Sequence, residues 1–313
     1  NNIKNNYLEN KVFDDSLDED EFGENKKFFI ETEDIYVDTG FIDVYSKVIR
    51  TYDDLCSVKT ISQKYVTERF NFNGYFVLEN NITCPNEGTP VFFNRASNFK
   101  INGISECIDT NIGFNGVFDG KGHTLFNYKP TGYGSFITWL TKDGVLKNLG
   151  FENATLDSSL IDSSINPVAV LVCNGQGSVS NVYVNYKNIY TGLGKYENKY
   201  CSTFCSAGGS IKASSIFING INATIDGDFD ILGKISNADG VYALGGTHIN
   251  GGIDFGSDPV VDSRIFSCTG IYRHFRSASE MKEHLQTQST IANWNKDYWT
   301  DLDSGIPSWK TAK

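Results

Sequence analysis

Three stretches of the chain share one order of apolar and polar positions: a short apolar run, a glycine turn, then a run in which apolar and polar residues alternate. They are Ser135–Leu156, Ala169–Tyr190 and Ser202–Ile225, and their starts lie 34 and then 33 residues apart. The apolar residue two places after the turn glycine is Leu146, Val179 and Ile211 in turn, 33 and then 32 residues apart. Self-similarity at a period of about 20–50 residues marks a solenoid, propeller or array.

The alternating runs, such as Asn181-Val-Tyr-Val-Asn-Tyr, have close to the period of a half-buried strand and are rich in β-branched and aromatic residues. Glycines cluster between the runs, at Gly144, Gly175 and Gly177, Gly208 and Gly209, and Gly245 and Gly246. They suit corners that need positive φ. The pattern predicts an all-β solenoid whose coils pair at about 4.8 Å. Leu146, Val179 and Ile211 are expected to stack as one interior column, and Phe151, Val184 and Ile216 as another. Asn148 and Asn181 fall two places after the first column and predict a short ladder of side-chain amides between coils. Ala213 is expected to end it.

Upstream lies Phe114-Asn-Gly-Val-Phe-Asp-Gly-Lys-Gly-His-Thr-Leu. Together with GVLKNLGFENATL and GSVSNVYV, it resembles the GLUG-type repeat region of large bacterial surface proteins. The resemblance runs from about Thr51 through TDLDSGIPSWK. It implies a right-handed parallel β-helix displayed on cells, in which Gly120 and Gly122 shape the corner after the FDG strand. The chain departs from that pattern at Ser135-Phe-Ile-Thr-Trp-Leu, where the family has a glycine-rich corner, and at Ala213.

Net charge is −11 and the pI about 4.9. Nucleic-acid binding wants a basic stripe, and anionic lipid repels an acidic surface, so both are disfavoured. No run of 18 apolar residues is present to span a membrane. The sequence begins with Asn rather than Met and shows no signal peptide, as expected of a processed or trimmed product. Seven cysteines are an odd and dilute set for a disulfide framework. Cys173 and Cys205, inside apolar runs, are expected to behave as small hydrophobes. Cys84 and Cys107 flank a loop-rich stretch and are the pair placed to bridge in an oxidising compartment.

Four segments follow. Residues 1–27 read as an acidic tail or linker, 28–74 as an N-terminal strand and capping helix, 75–274 as the repeats, and 275–313 as a C-terminal cap. The strand is expected within Phe28–Val37. Thr51 with Asp54, and Ser277 with Glu280, have the spacing of helix N-caps. The two helices are expected to cover the ends of the solenoid, with Trp294, Trp299 and Trp309 clustered against the last coil.

Candidate chemistry is sparse. Asp119 and His123 share the FDGKGH turn without a nucleophile beside them, so a corner role is expected. Asp226, Asp228 and Asp230 have the opening spacing of a calcium loop, but Ile231 and Asn237 occupy the positions where an EF-hand needs glycine and glutamate. A looser calcium site on those aspartates stays open beside a solvated loop protruding from a coil. Acids at matching coil positions, which glycoside hydrolysis requires in facing pairs, are few. The expectation is a non-catalytic, extracellular or cell-surface module for display, adhesion or host-surface binding to a protein or glycan, with no cofactor. The alternatives are a self-assembling filament subunit and a carbohydrate-active lyase or hydrolase.

Overall fold

The computed structural model describes residues 35–38, 41–44, 47–58, 73–90, 113–132, 135–161, 168–191, 201–204, 211–226, 229, 231–232, 235, 237–245, 269–288 and 291–313. Strands β1 (Ile35–Asp38) and β2 (Phe41–Val44) pair antiparallel. The expected strand therefore falls at Ile35–Asp38; Phe28–Asp34 and the acidic segment 1–27 lie outside the described residues.

Every described strand that follows, up to the C-terminal segment, pairs in parallel. The strands are β3 (Lys47–Ile49), β4 (Tyr75–Leu78), β5 (Ile82–Thr83), β6 (Thr89–Pro90), β7 (Val117–Asp119), β8 (Thr124–Phe126), β9 (Pro130–Thr131), β10 (Ile137–Leu140), β11 (Val145–Asp157), β12 (Val168–Ala169), β13 (Val172–Gly175), β14 (Ser178–Tyr190), β15 (Cys201–Ser202), β16 (Lys212–Gly220), β17 (Thr224–Asp226), β18 (Asn237–Gly245) and β19 (Thr269–Phe275). One eleven-stranded sheet runs β19-β18-β16-β14-β11-β7-β4-β3, with β5, β8 and β17 attached to it. The segments between these strands also pair with their counterparts a repeat later: β6 with β9, β10 with β13, and β12 with β15. The fold is thus mostly β, with one large parallel sheet.

Parallel pairing at the repeat distance brings like residues together. Leu146 lies opposite Val179, and Phe151 opposite Val184, as the periodicity predicts. The third repeat is offset by two residues from the expected alignment. Val179 pairs with Ala213 rather than Ile211, and Val184 pairs with Ile218 rather than Ile216. The cause is visible at the corner. The amide of each strand's first residue bonds back to Gly116, Gly144 and Gly177 in successive repeats, and Ile211 takes that place next, its carbonyl receiving the Asn237 amide. Side chains on Gly144 or Gly177 would press into the Phe114 or Gly144 carbonyl and into Leu140. At Ile211 the corner has room, and the side chain is fully buried.

The interior holds both columns, extended upstream by Phe76, Phe118 and Leu125 and downstream by Ala238 and Ala243, with Leu149, Val182, Ile216 and Val241 as a third row between them. Phe136 sits among Phe118, Tyr128 and Phe151 at ring distances of 5.0–5.8 Å, all edge-on. Such edge-to-face contacts fill space with the rings' favourable quadrupole orientation. Residues 52–58 form helix α1, which sends Leu55 and Val58 into this core. Its start is a reciprocal cap: Asp54 N donates to Thr51 Oγ1 at 3.1 Å and Thr51 N to Asp54 Oδ2 at 2.9 Å.

Helix α2 (Ala278–Gln288) begins with Glu280 N donating to Ser277 Oγ at 3.2 Å. It does not close the end of the sheet. Met281 and Leu285 join Phe217, Tyr242, Leu244 and Phe275 in a second cluster, on the outward side of the strands. Beyond it come β20 (Trp299–Thr300) and β21 (Ser308–Trp309), a short antiparallel pair.

Candidate functional site

The FDGKGH turn links β7 to β8, and its carboxylate, Asp119, is buried among several polar partners. Asp119 Oδ1 accepts from Lys121 N at 2.9 Å and from Asn148 Nδ2 at 2.8 Å. Asp119 Oδ2 accepts from the Tyr75 hydroxyl at 3.2 Å and lies 3.3 Å from Lys147 Nζ. Three hydrogen bonds and one ion pair thus engage both oxygens of this carboxylate, which is 3% exposed. Burial is tolerable because the charge is both paired and hydrogen-bonded.

From Asp119 a chain of amides runs along the sheet. Asn148 Oδ1 accepts from Asn181 Nδ2 at 3.1 Å, so the expected ladder forms and is anchored on a charge. Ala213 does not occupy the next place. By register that place is Ser215, followed by Gly240. All four residues share left-handed backbone: φ is 55° at Asn148, 50° at Asn181, 51° at Ser215 and 73° at Gly240. They form a second corner within what reads as continuous strand. Asparagine is among the few residues with a side chain that enter this region readily.

Gly120 and Gly122 meet different demands. Gly122 has φ of 84°, and a Cβ there would lie 3.2 Å from the Tyr298 ring. Gly120 has no unusual φ, but a Cβ would strike the Asn148 carbonyl and stand 2.8 Å from Leu149 Cα. His123 is buried, and its Nδ1 has no hydrogen-bond partner. Desolvation holds its imidazole below the usual range, toward the neutral form.

The three tryptophans do gather, with Trp299 4.7 Å from Trp294 and 5.1 Å from Trp309 by ring centroid. They lie on the outward side of the sheet, in a cluster that reaches from Phe217 in β16 to Phe275 in β19. Trp294 stacks on Tyr242 near Gly240, and Trp309 lies near-parallel to Tyr183 and Tyr298. Trp309 Nε1 donates to Thr124 Oγ1 at 3.2 Å, Ala312 N donates to the Gly122 carbonyl at 2.9 Å, and Asn81 Nδ2 donates to the Ala312 carbonyl at 2.8 Å. Residues 294–312 therefore make a strap from β18 back to Asn81 beside β5. Gly150 is the hollow under it, since a Cβ there would overlap the Trp309 indole nitrogen.

The remaining candidates separate. Asp226 is exposed and its carbonyl accepts from Thr191 N, while Asp228 and Asp230 lie outside the described residues. The expectation of a protruding solvated loop fails there: Phe229, Ile231 and Leu232 are buried in the main core, with Phe229 5.4 Å from the Tyr186 ring. Among the described residues, no group of three His, Cys, Asp or Glu side chains could hold a metal ion. Asp157 caps a short 3-10 turn by accepting from Ser159 N, and Glu152 accepts from Asn185 Nδ2. Cys84 is a buried free thiol, with Cys107 outside the described residues. Cys173 is buried in β13, as its apolar surroundings suggest; Cys205 also lies outside. No family model, curated protein or solved structure matches the chain. Among the described residues, no helix is long and apolar enough to cross a membrane.

Proposed function

We propose that this chain is a right-handed parallel β-helix from a bacterial cell-surface or secreted protein, similar to GLUG-type repeat regions, and that it works by display, adhesion or host-surface binding rather than by catalysis. Parallel pairing of the intervening segments as well as of the long strands supports a coiled path, because each stretch of a repeat lies against its counterpart in the next. The observation that carries the non-catalytic reading is the state of Asp119. This carboxylate is the best catalytic candidate in the sequence, and three hydrogen bonds and an ion pair already engage both of its oxygens.

The working surface would be the polar, strand-borne exterior: Lys187, Lys212 and Asn237 are exposed there. A scaffold with an acidic balance suits a protein or glycan partner better than nucleic acid. The test sets purified protein on arrays of glycans and matrix proteins, beside assays for reducing-end release and unsaturated uronate absorbance. Saturable binding with flat turnover is the expected result. Turnover that disappears in Asp119→Asn, with circular dichroism unchanged, would overturn the reading and make the chain an enzyme.

A further inference from the structure

Helix α2 is tied to β19 through a hydrogen bond that only a neutral imidazole can make. Arg273 Nη1 lies 2.8 Å from His284 Nδ1. A guanidinium carries donors alone and keeps its charge, so Nδ1 is the acceptor and the ring proton sits on Nε2. Arg273 Nη2 also lies 3.7 Å from Glu280 Oε1, and the guanidinium stands 5.2 Å from the centre of the Phe275 ring. That ring meets the His284 ring at 5.4 Å. Arg273 thus bridges two residues about one turn apart on α2, beside the buried Met281 and Leu285.

The elements packed around α2 add few charges to this cluster. From β18 come Tyr242 and Leu244, both buried. The turn at 302–304 is met through Gln286, whose Nε2 donates to the Ser304 carbonyl at 3.2 Å, and Asp301 and Asp303 there are exposed. Lys282 and Glu283 on the helix and Arg276 before it are exposed as well. Arg276 N donates to Glu280 Oε2 at 3.0 Å and so fixes that carboxylate at the helix start. His274 on β19 places Nε2 2.8 Å from the Gly245 carbonyl, a bond that a neutral or a charged imidazole can donate. Among the described residues, the charged groups acting on His284 are therefore Arg273 and Glu280.

We propose that Arg273, His284 and Glu280 form an acid-sensitive latch, which fastens α2 to β19 while His284 is neutral and loosens it when His284 takes a proton. The latch stands apart from the proposed binding role and holds whatever the exterior binds.

Protonation turns Nδ1 from acceptor into donor, so the bond becomes two N–H groups and two positive charges face to face. Glu280 then changes partner. It stands four residues before His284, the spacing and order in which a carboxylate and a cation pair best on a helix. The imidazolium takes Glu280, so the helix gains an internal pair and loses its tie to the strand. Burial, and then the Arg273 charge, hold the docked imidazole below the usual range, with Glu280 opposing. A lowered docked value means that the latch is fully fastened above the free value of about 6.5 and weakens as pH falls from there.

The test follows amide hydrogen exchange of the full chain by mass spectrometry at pH 7.5 and 5, corrected for intrinsic rates. The opening equilibrium of residues 278–288 should rise several-fold on acidification, with a ceiling of about 30-fold set by the free imidazole value. His284→Gln keeps a neutral acceptor opposite Arg273 at both pH values. It should abolish the helix's response while leaving any response of residues 145–157 as in the parent. His274→Gln should leave the helix's response intact. Nitrogen-15 spectra of the imidazoles should show His284 Nδ1 unprotonated at pH 7.5. A parent helix indifferent to pH, a response that persists in His284→Gln, or a proton on His284 Nδ1 at pH 7.5 would overturn the proposal. So would a response that disappears in His274→Gln.

Discussion

Asn148 is the place where the ladder and the backbone corner can be tested together. Replacing it with alanine deletes two hydrogen bonds. The bond to the Asp119 carboxylate, at 2.8 Å and buried, is of the charged-acceptor class worth about 1.5–3 kcal/mol. The bond from Asn181, at 3.1 Å, is neutral and worth about 0.5–1.5 kcal/mol. Alanine must also hold φ at 55°, a conformation costing an ordinary L-residue about 1–2 kcal/mol. The expected loss for Asn148→Ala is therefore about 3–6.5 kcal/mol. Asn148→Gly loses the same two bonds but takes the left-handed conformation freely, so it should be the milder change by about 1 kcal/mol. That order is diagnostic, because in an ordinary strand glycine is the worse residue by about 0.5–1 kcal/mol. Urea unfolding followed by far-ultraviolet circular dichroism gives both numbers. If alanine proves as mild as glycine, the left-handed corner is wrong. If both variants unfold within about 0.5 kcal/mol of the parent, the ladder has no energetic weight.

Three further outcomes are expected. Val179→Asp places an unpaired charge between Leu146 and Ala213 in the interior and should cost about 4 kcal/mol or more; a variant that melts like the parent would refute the register. His123 is held below its usual pKa by burial, so the folded chain favours the neutral imidazole. Its full stability is present above the unfolded-state value of about 6.5 and is lost as pH falls from there toward the lower folded value. His123→Phe should therefore flatten stability between pH 7 and 5, and an unchanged slope would count against the buried, unpartnered imidazole. Trp309→Ala should remove about 2 kcal/mol, less than a fully buried tryptophan because the ring is only half-buried; an unchanged urea midpoint would mean that the strap is not anchored there.

The sequence displays what repeats locally and hides what does not. Leu146 over Val179 and Asn148 over Asn181 are legible because both repeats carry glycine two places before the column residue. The same rule misplaces Ile211, since the third corner accommodates a side chain and no longer announces itself with glycine. The left-handed corners escape notice for a related reason: Asn148, Asn181 and Ser215 sit within runs that alternate like strand, and glycine enters the column only at Gly240. The aspartate spacing at 226–230 suggests a wet loop, yet Phe229 and Ile231 between and beside those aspartates anchor the segment in the core. The strap leaves no periodic trace at all, because its contacts join residues such as Thr124 and Trp309, 185 apart in sequence.

That strap bears on how the chain folds. A stack whose rungs touch only their neighbours behaves as a one-dimensional array, able to form rung by rung and to fray from either end. Asn81 and Ala312 are 231 residues apart and hydrogen-bonded, so a strand near Asn81 is joined to a segment synthesised 231 residues later. Neighbouring strands can pair as they emerge from the ribosome, but the outward aromatic row of Tyr183, Phe217 and Tyr242 stays uncovered until residues 294–312 arrive. Closing so long a loop is slow, and the exposed row is a hazard for association during the wait. Once closed, the strap couples parallel strands that otherwise pair only with their neighbours, and unfolding from the β19 edge must first peel Trp294 from Tyr242.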